Sequence, residues 1–261
     1  MSAAPLRVLP TPEGIGEQIA PKILEDIARA RNSGARYLLG CPTGRTPRPI
    51  YAAIARRLAH TRQDLSHLVL VMMDEYLVPS ARGFKYAAST NRWSCHDFAR
   101  RELADQWNSV LPAEFRLRDD SVWFPDPNQP ETYDIEIRRA GGIDLFLLAS
   151  GASDGHVAFN PPGSARNSTT RIIELSDETR RDNLKTFPSF GKLSKVPTHG
   201  ISVGIDTIAS ARRKVMVVWG EGKRLTLKRI IAASRYESDW PATVVHEGVG
   251  GEILADNAAS A

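Results

Sequence analysis

The chain has 261 residues, 42% of them hydrophobic and 25% charged, the balance of an ordinary globular protein with length for one large α/β domain or two small ones. The formal net charge is +4, but Lys and Arg are spread along the chain rather than gathered on one face, which argues against a nucleic-acid partner. The two cysteines, Cys41 and Cys95, form no CxxC pair, so the sequence indicates neither a disulfide framework nor a zinc ribbon.

The opening MSAAPLRVLP lacks the apolar stretch of a signal peptide, and the longest apolar run, around Leu145 to Ala149, is far short of a membrane span. A cytoplasmic protein without a membrane partner is expected. The basic clusters Arg180-Arg181 and Arg212-Arg213-Lys214 read as solvated helix ends.

Apolar runs alternate with amphipathic stretches. Leu6–Leu9 reads as a short strand, and Gly14–Asn32 as a helix carrying Ile15, Ile19, Ile23, Leu24 and Ile27. Tyr37–Cys41 reads as a buried strand and Arg48–Leu58 as a helix, entered through Thr46 as N-cap and Pro47 as first helical residue. Leu68–Met73 is a strand ending in Asp74-Glu75-Tyr76, followed by a loop over 77–90 and a helix over Asn91–Asp105. Asp144–Ala149 is a strongly apolar strand. Gly200–Val203 and Val215–Trp219 read as strands, with helices over Asp206–Ala211 and Glu221–Ser234, then short strands at Thr243–Val245 and Ile253–Leu254. Strands alternating with helices imply βαβ units and a doubly wound α/β fold, a mostly parallel sheet covered on both faces. Ligands of such folds bind beyond the carboxyl ends of the strands. The polar segments after residues 41, 73, 149 and 219 lie there.

The first of these segments, Gly40-Cys41-Pro42-Thr43-Gly44-Arg45-Thr46-Pro47, joins a strand to a helix and suits a phosphate, although an ordinary turn reads the same way. It is not a Walker A sequence, and no GxGxxG occurs, which argues against a nucleotide cofactor. In Asp74-Glu75-Tyr76, two carboxylates end an apolar strand where general acid–base residues often sit; in extended chain they point to opposite faces, so only one need meet a substrate. The loop Ser150-Gly151-Ala152-Ser153-Asp154-Gly155-His156 presents a carboxylate and an imidazole within three residues, a proton-transfer pair. As a metal site it lacks a further His or Cys at suitable spacing, and there is no GxSxG elbow. Lys185 and Lys223, the latter opening a helix, are point charges fit for phosphate.

Together the segments PTGRTP, MMDEYL, DGHVAFNPPGS, TTRIIELSDETRRDN and VPTHGISVGIDTIASARRKVMVVWGEGK, in that order, resemble the glucosamine-6-phosphate deaminase (isomerase) family, within the wider group that includes 6-phosphogluconolactonase. The resemblance spans roughly residues 10–255 and implies one domain over 1–261, a three-layer α/β/α sandwich with a Rossmann-like sheet. It also implies a phosphorylated sugar as the small-molecule partner, no metal or organic cofactor, and room for a homo-oligomer. The reaction it implies opens the sugar ring, isomerises aldose to ketose and releases ammonia. By that resemblance Asp74 moves the proton between C2 and C1, His156 serves ring opening and proton transfer at O5, and Asp154 belongs to the same catalytic group. Thr43, Gly44, Lys185 and Lys223 hold the phosphate, with Arg45 as a further contact, and Glu75 and Gly155 are supporting candidates.

One departure bears on the chemistry. The family usually reads AFNEPG, its Glu pairing with the His; this chain has Pro161 at that position, leaving Glu75 and Asp154 as candidates to supply the charge. Two other functions therefore stand beside deamination. Hydrolysis of a sugar-phosphate lactone needs no such Glu, although the lactonase-like TASLFP after DGH is missing. A regulator that binds sugar phosphate without turnover is the third.

Overall fold

The computed structural model describes residues 3–261. Thr11 caps the first helix, its Oγ1 accepting from Gly14 N at 3.1 Å, so the helix starts two residues earlier than the apolar spacing alone places it. In chain order the elements run β1 (Leu6–Leu9), α1 (Pro12–Asn32), β2 (Tyr37–Cys41), α2 (Arg48–Thr61), β3 (Leu68–Met72), β4 (Asp74–Ser80), β5 (Gly83–Tyr86), α3 (Cys95–Phe98), α4 (Asp105–Asn108), β6 (Val122–Trp123), α5 (Pro130–Arg139) and β7 (Leu145–Ala149). There follow β8 (Arg171–Glu174), α6 (Asp177–Thr186), β9 (His199–Ser202), α7 (Ile205–Ala209), β10 (Arg213–Val218), α8 (Arg224–Ala232), β11 (Gly251–Asp256) and α9 (Asn257–Ser260).

Seven strands form one parallel sheet in the order β1-β11-β10-β7-β2-β3-β6. Alternate residues of its strands enter two separate cores, as the pleat requires. Leu39, Leu70, Leu147 and Val217 pack with Ile19 and Ile23 of α1 and Ile54 of α2. Leu38, Val71, Leu148 and Met216 pack with Ile137 of α5, Ile208 of α7 and Ile230 of α8. The doubly wound sandwich expected from the sequence is therefore present. The chain builds outward from β2 through β3 to β6, then returns to β7 on the other side of β2, so the strand order reverses between β2 and β7. A reversal of this kind leaves a crevice beyond the carboxyl ends of the two strands.

Several local expectations are corrected. The segment 77–90 is largely a hairpin: β4 continues to Ser80 and pairs antiparallel with β5, forming a second sheet, β5-β4-β9-β8. Pro79 and Gly83 read as loop residues, but Pro79 lies beyond the part of β4 that pairs with β9 and Gly83 lies at the turn, so neither breaks the ladder. The helix expected from Asn91 starts at Cys95, capped by Ser94, and runs from α3 through a π-helical stretch, Ala99–Ala104, into α4. Pro47, not Thr46, precedes α2, and no side chain caps it. Thr243–Val245 lies in a 3-10 helix, Pro241–His246, rather than a strand. Residues 221–223 likewise form a 3-10 turn ahead of α8. Arg213 and Lys214 begin a strand instead of ending a helix, and Lys214 is fully buried, its Nζ donating to the carbonyls of Ala209, Ala211 and Val249. Among the described residues no helix is long and apolar enough to cross a membrane.

Candidate active site

A cleft of about 340 Å³ opens where the strand order reverses. It is lined by Thr43, Gly44 and Arg45 after β2, by Asp74 after β3, by Ser150, Gly151 and His156 after β7, and by Lys223 after β10. The four loops picked out in the sequence do converge. The loop after β2 is braced from behind: Tyr51 donates to Pro42 O at 2.8 Å and Trp219 Nε1 to Thr46 O at 2.9 Å.

Asp74 and Glu75 face opposite ways, as extended chain dictates. Asp74 reaches the cleft yet is only 6% exposed. Burial pushes its carboxyl up to about 7; the neighbouring charge of Glu75 adds to this, and a hydrogen bond from Cys95 opposes it. Glu75 is wholly buried on the other side. Its carboxylate accepts from Ser94 Oγ (2.7 Å), from the amides of Tyr76 (2.7 Å), Cys95 (3.0 Å) and His96 (2.9 Å), and lies 2.6 Å from His96 Nδ1. It thus holds the N-terminus of α3, where a negative charge is favoured, and takes no part in the cleft. The supporting role expected for Glu75 is structural.

The turn after β7 makes the second titrating group. Asp154 Oδ1 lies 2.7 Å from His156 Nδ1 and also accepts the His156 amide at 3.1 Å. Because a carboxylate only accepts, Nδ1 carries the proton and Nε2 is the nitrogen left for chemistry. Burial opposes ionisation of Asp154, but the imidazole and Thr179 outweigh it and hold the carboxyl below its usual range. Two glycines permit this packing. A Cβ on Gly151 would stand 2.2 Å from His156 Nδ1, and one on Gly155, at φ +67°, would stand 2.4 Å from the Trp240 ring. Gly155 therefore shapes the turn and does not itself line the cleft. Pro161 is not part of the lining either; its carbonyl accepts from the amide and hydroxyl of Ser164. Of the two candidates for the missing charge, Asp154 is the one placed beside His156.

Three cations border the same cleft. Arg45 is exposed, and Lys185, 73% exposed, stands 3.7 Å from Asp182. Lys223 is drawn inward and donates to Ser150 O. Burial lowers its ammonium to about 8, with Asp182 resisting the fall and Arg45 adding to it.

The sequence reading missed α6 as a wall. Ser176 caps it, accepting from Thr179 N at 3.1 Å, and Asp177 and Glu178 occupy its first turn, a legible helix start. From that start, helical spacing puts Thr179, Asp182, Asn183 and Thr186 on one side. Thr179 Oγ1 lies 3.4 Å from Asp154 Oδ2 and 3.3 Å from His156 Nδ1, and Asp182, Asn183 and Thr186 line the cleft. Asp182 Oδ2 accepts from Ala152 N and Ser153 Oγ, both at 3.2 Å. One donor atom each from Asp154, His156 and Asp182 lie within 4.8 Å of one another. That donor set suits a divalent cation, whereas Lys185 and Lys223 beside Asp182 place competing positive charge there. Cys41 is buried, and burial pushes its thiol up to about 12, so it is an inert core residue.

Comparison with known proteins agrees with this architecture. Residues 10–254 match the family described as glucosamine-6-phosphate isomerases/6-phosphogluconolactonase. The glucosamine-6-phosphate deaminase of an Exiguobacterium species is 34% identical over 242 residues, covering 92% of this chain and 87% of its own. That of Mycolicibacterium smegmatis is 31% identical, covering 97% and 90%. Among solved structures, a monomeric glucosamine-6-phosphate deaminase superposes with a TM-score of 0.81 at 23% identity, covering 98% of both chains. The 6-phosphogluconolactonase of Leishmania guyanensis superposes at 0.70 with 15% identity, covering 98% and 97%. At these identities the two superpositions speak for the fold. The sequence match over nearly the whole chain goes further: this protein belongs to the glucosamine-6-phosphate isomerase/6-phosphogluconolactonase family.

Proposed function

We propose that the chain converts an amino-sugar 6-phosphate, glucosamine 6-phosphate foremost, into the ketose phosphate and ammonia. The observation that carries this is the cleft itself, where a carboxyl held near neutrality and a His–Asp pair share one space with three cations. The relatives named as deaminases support the choice of substrate. Arg45, Lys185, Lys223 and the backbone of Thr43 and Gly44 take the phosphate. His156 Nε2 gives and takes the proton at the ring oxygen. Asp74 lifts the proton from C2 and returns it to C1, a task for a base with a pKa near the working pH. Water then takes the place of nitrogen at C2, and ammonia leaves; the net reaction consumes one water. The scheme calls on no metal or organic cofactor. One domain carries it, since buried residues of both sheets share a single cluster, and we place it in the cytoplasm.

Incubation with glucosamine 6-phosphate is expected to yield ammonia and fructose 6-phosphate in equal amounts. Absence of both products would sink the reading, and hydrolysis of 6-phosphogluconolactone instead would make the protein a lactonase.

The phosphate assignment makes a separate prediction. Lys223→Ala should raise KM roughly 10- to 100-fold with a smaller effect on kcat, because it removes a charged contact made in ground and transition states alike. In the native enzyme KM should climb above about pH 8, where Lys223 loses its proton. Initial-rate kinetics from pH 6 to 10 measure both. A KM independent of Lys223 would return it to a merely structural lysine.

A further inference from the structure

Beside Asp74 stands a group the scheme above has not used. Cys95 Sγ lies 3.3 Å from Asp74 Oδ1 and 3.6 Å from Thr43 Oγ1, and all three residues are packed between the loop after β2 and the start of α3. The backbone of Cys95 is itself fixed, its amide donating to Glu75 Oε1 at 3.0 Å. Adjacent residues of one strand thus hold the same cysteine, Glu75 by its amide and Asp74 by its thiol.

We infer that Cys95 is a positioning residue for Asp74: its S–H donates to Oδ1, fixing the carboxylate and leaving proton transfer to Oδ2. The inference rests on the role of Asp74 proposed above. The thiol is 1% exposed, and burial, reinforced by the charges of Glu75 and Asp74, pushes its ionisation far up, so it remains a donor. The ionisable groups near enough to act on Asp74 or feel its charge are Cys95 from α3, Tyr51 from α2, and Tyr76 and, from the opposite face, Glu75 on its own strand. Of these, the hydrogen bond from Cys95 is what lowers the Asp74 carboxyl.

The choice of sulfur has a physical sense. An S–H is a weak donor, so it orients the carboxylate while taking little from its basicity. A hydroxyl at the same distance from Oδ1 would stabilise the anion more and make a poorer base at neutral pH. The Thr43 hydroxyl, 3.6 Å from the same sulfur, ties this arrangement to the loop after β2, so the base and the proposed phosphate contacts share one support.

Two measurements test it. In the unliganded native protein the infrared S–H stretch of Cys95, assigned by its loss in Cys95→Ser, should shift as pH passes through about 7 and should cease to titrate in Asp74→Asn. This arm needs no turnover: a band that titrates in a protein inactive on amino-sugar phosphates sinks the proposed function and still keeps Cys95 as the residue that orients the Asp74 carboxylate. A band indifferent to pH and to Asp74→Asn overturns the inference whatever the activity. In the kinetic arm, Cys95→Ala should move the acid limb of kcat/KM upward by about half to one pH unit, so that the rate at pH 6 falls a further three- to ten-fold, with KM at pH 8 nearly unchanged. Cys95→Ser, which keeps a donor, should leave the limb at or below its native position. A purely packing role would lower stability and leave the limb in place, and that outcome, or an equal upward shift in both variants, overturns the assignment.

Discussion

Asp74→Asn is expected to reduce kcat by about a thousand-fold or more while leaving sugar-phosphate binding within a few-fold of native. The amide has the shape of the carboxylate but cannot accept a proton from carbon near neutrality. The native enzyme should show the matching pH dependence. Burial raises the Asp74 carboxyl to about 7, so the fraction in the working, ionised form falls about tenfold per unit as pH drops below that value. The acid limb of kcat/KM should therefore have its midpoint near 7, well above an ordinary carboxylate. The variant should retain the proposed phosphate contacts, because Arg45, Lys185 and Lys223 come from other elements: the loop after β2, helix α6 and the 3-10 turn before α8. Stopped-flow binding together with steady-state kinetics separates the two parts. Turnover at native rate in Asp74→Asn would remove Asp74 from the chemistry, and loss of binding with the fold intact would make it a substrate ligand instead.

The legible parts of this fold are those whose physics is local. Leu68–Met72 and Leu145–Leu148 are buried on both faces of the parallel sheet, so each reads as an unbroken apolar run. The hairpin of β4 and β5 was hidden because β5 is an edge strand with alternately exposed residues and turn-forming neighbours, and its pairing with Leu77–Ser80 is a tertiary fact. Helix α6 was hidden for a different reason. Its sequence, DETRRDNLKT, buries only Thr179, so it has almost no apolar period and is betrayed only by its cap.

The site divides along the same line. Glycine-rich turns and carboxylates at strand ends mark Asp74, Asp154 and His156 without any long-range knowledge. The division of labour between Asp74 and Glu75 needed the third dimension. Extended geometry requires opposite faces, but which face meets the cleft depends on Ser94, Cys95 and His96, some twenty residues away along the chain. The same holds for Asp182, which closes over Ala152 and Ser153 from a helix about thirty residues further on. The alternation rule supplied the constraint, and packing chose the outcome.

His156→Gln carries the other large expected loss, about a hundred- to a thousand-fold in kcat, because the amide cannot exchange a proton with the ring oxygen at neutral pH. Asp154→Asn should cost less. Its amide oxygen can still accept the Nδ1 proton, so the tautomer that leaves Nε2 free survives, and only the charge is lost. If Asp154 acts on substrate only through the His156 it pairs with, the two losses should not multiply: the double variant should be about as slow as His156→Gln alone. The geometry adds a control. Thr179 touches both groups at 3.3–3.4 Å, a weaker contact than the 2.7 Å pairing, so Thr179→Val should loosen the pair with a smaller loss than Asp154→Asn. Open-chain substrate would isolate the step concerned. If His156 serves ring opening, much of the defect in His156→Gln should vanish when the sugar is supplied already open, whereas that of Asp74→Asn should persist. Equal defects on both substrates would move His156 from ring opening to the isomerisation itself, where it would share the proton with Asp74 across the cleft that both of them line.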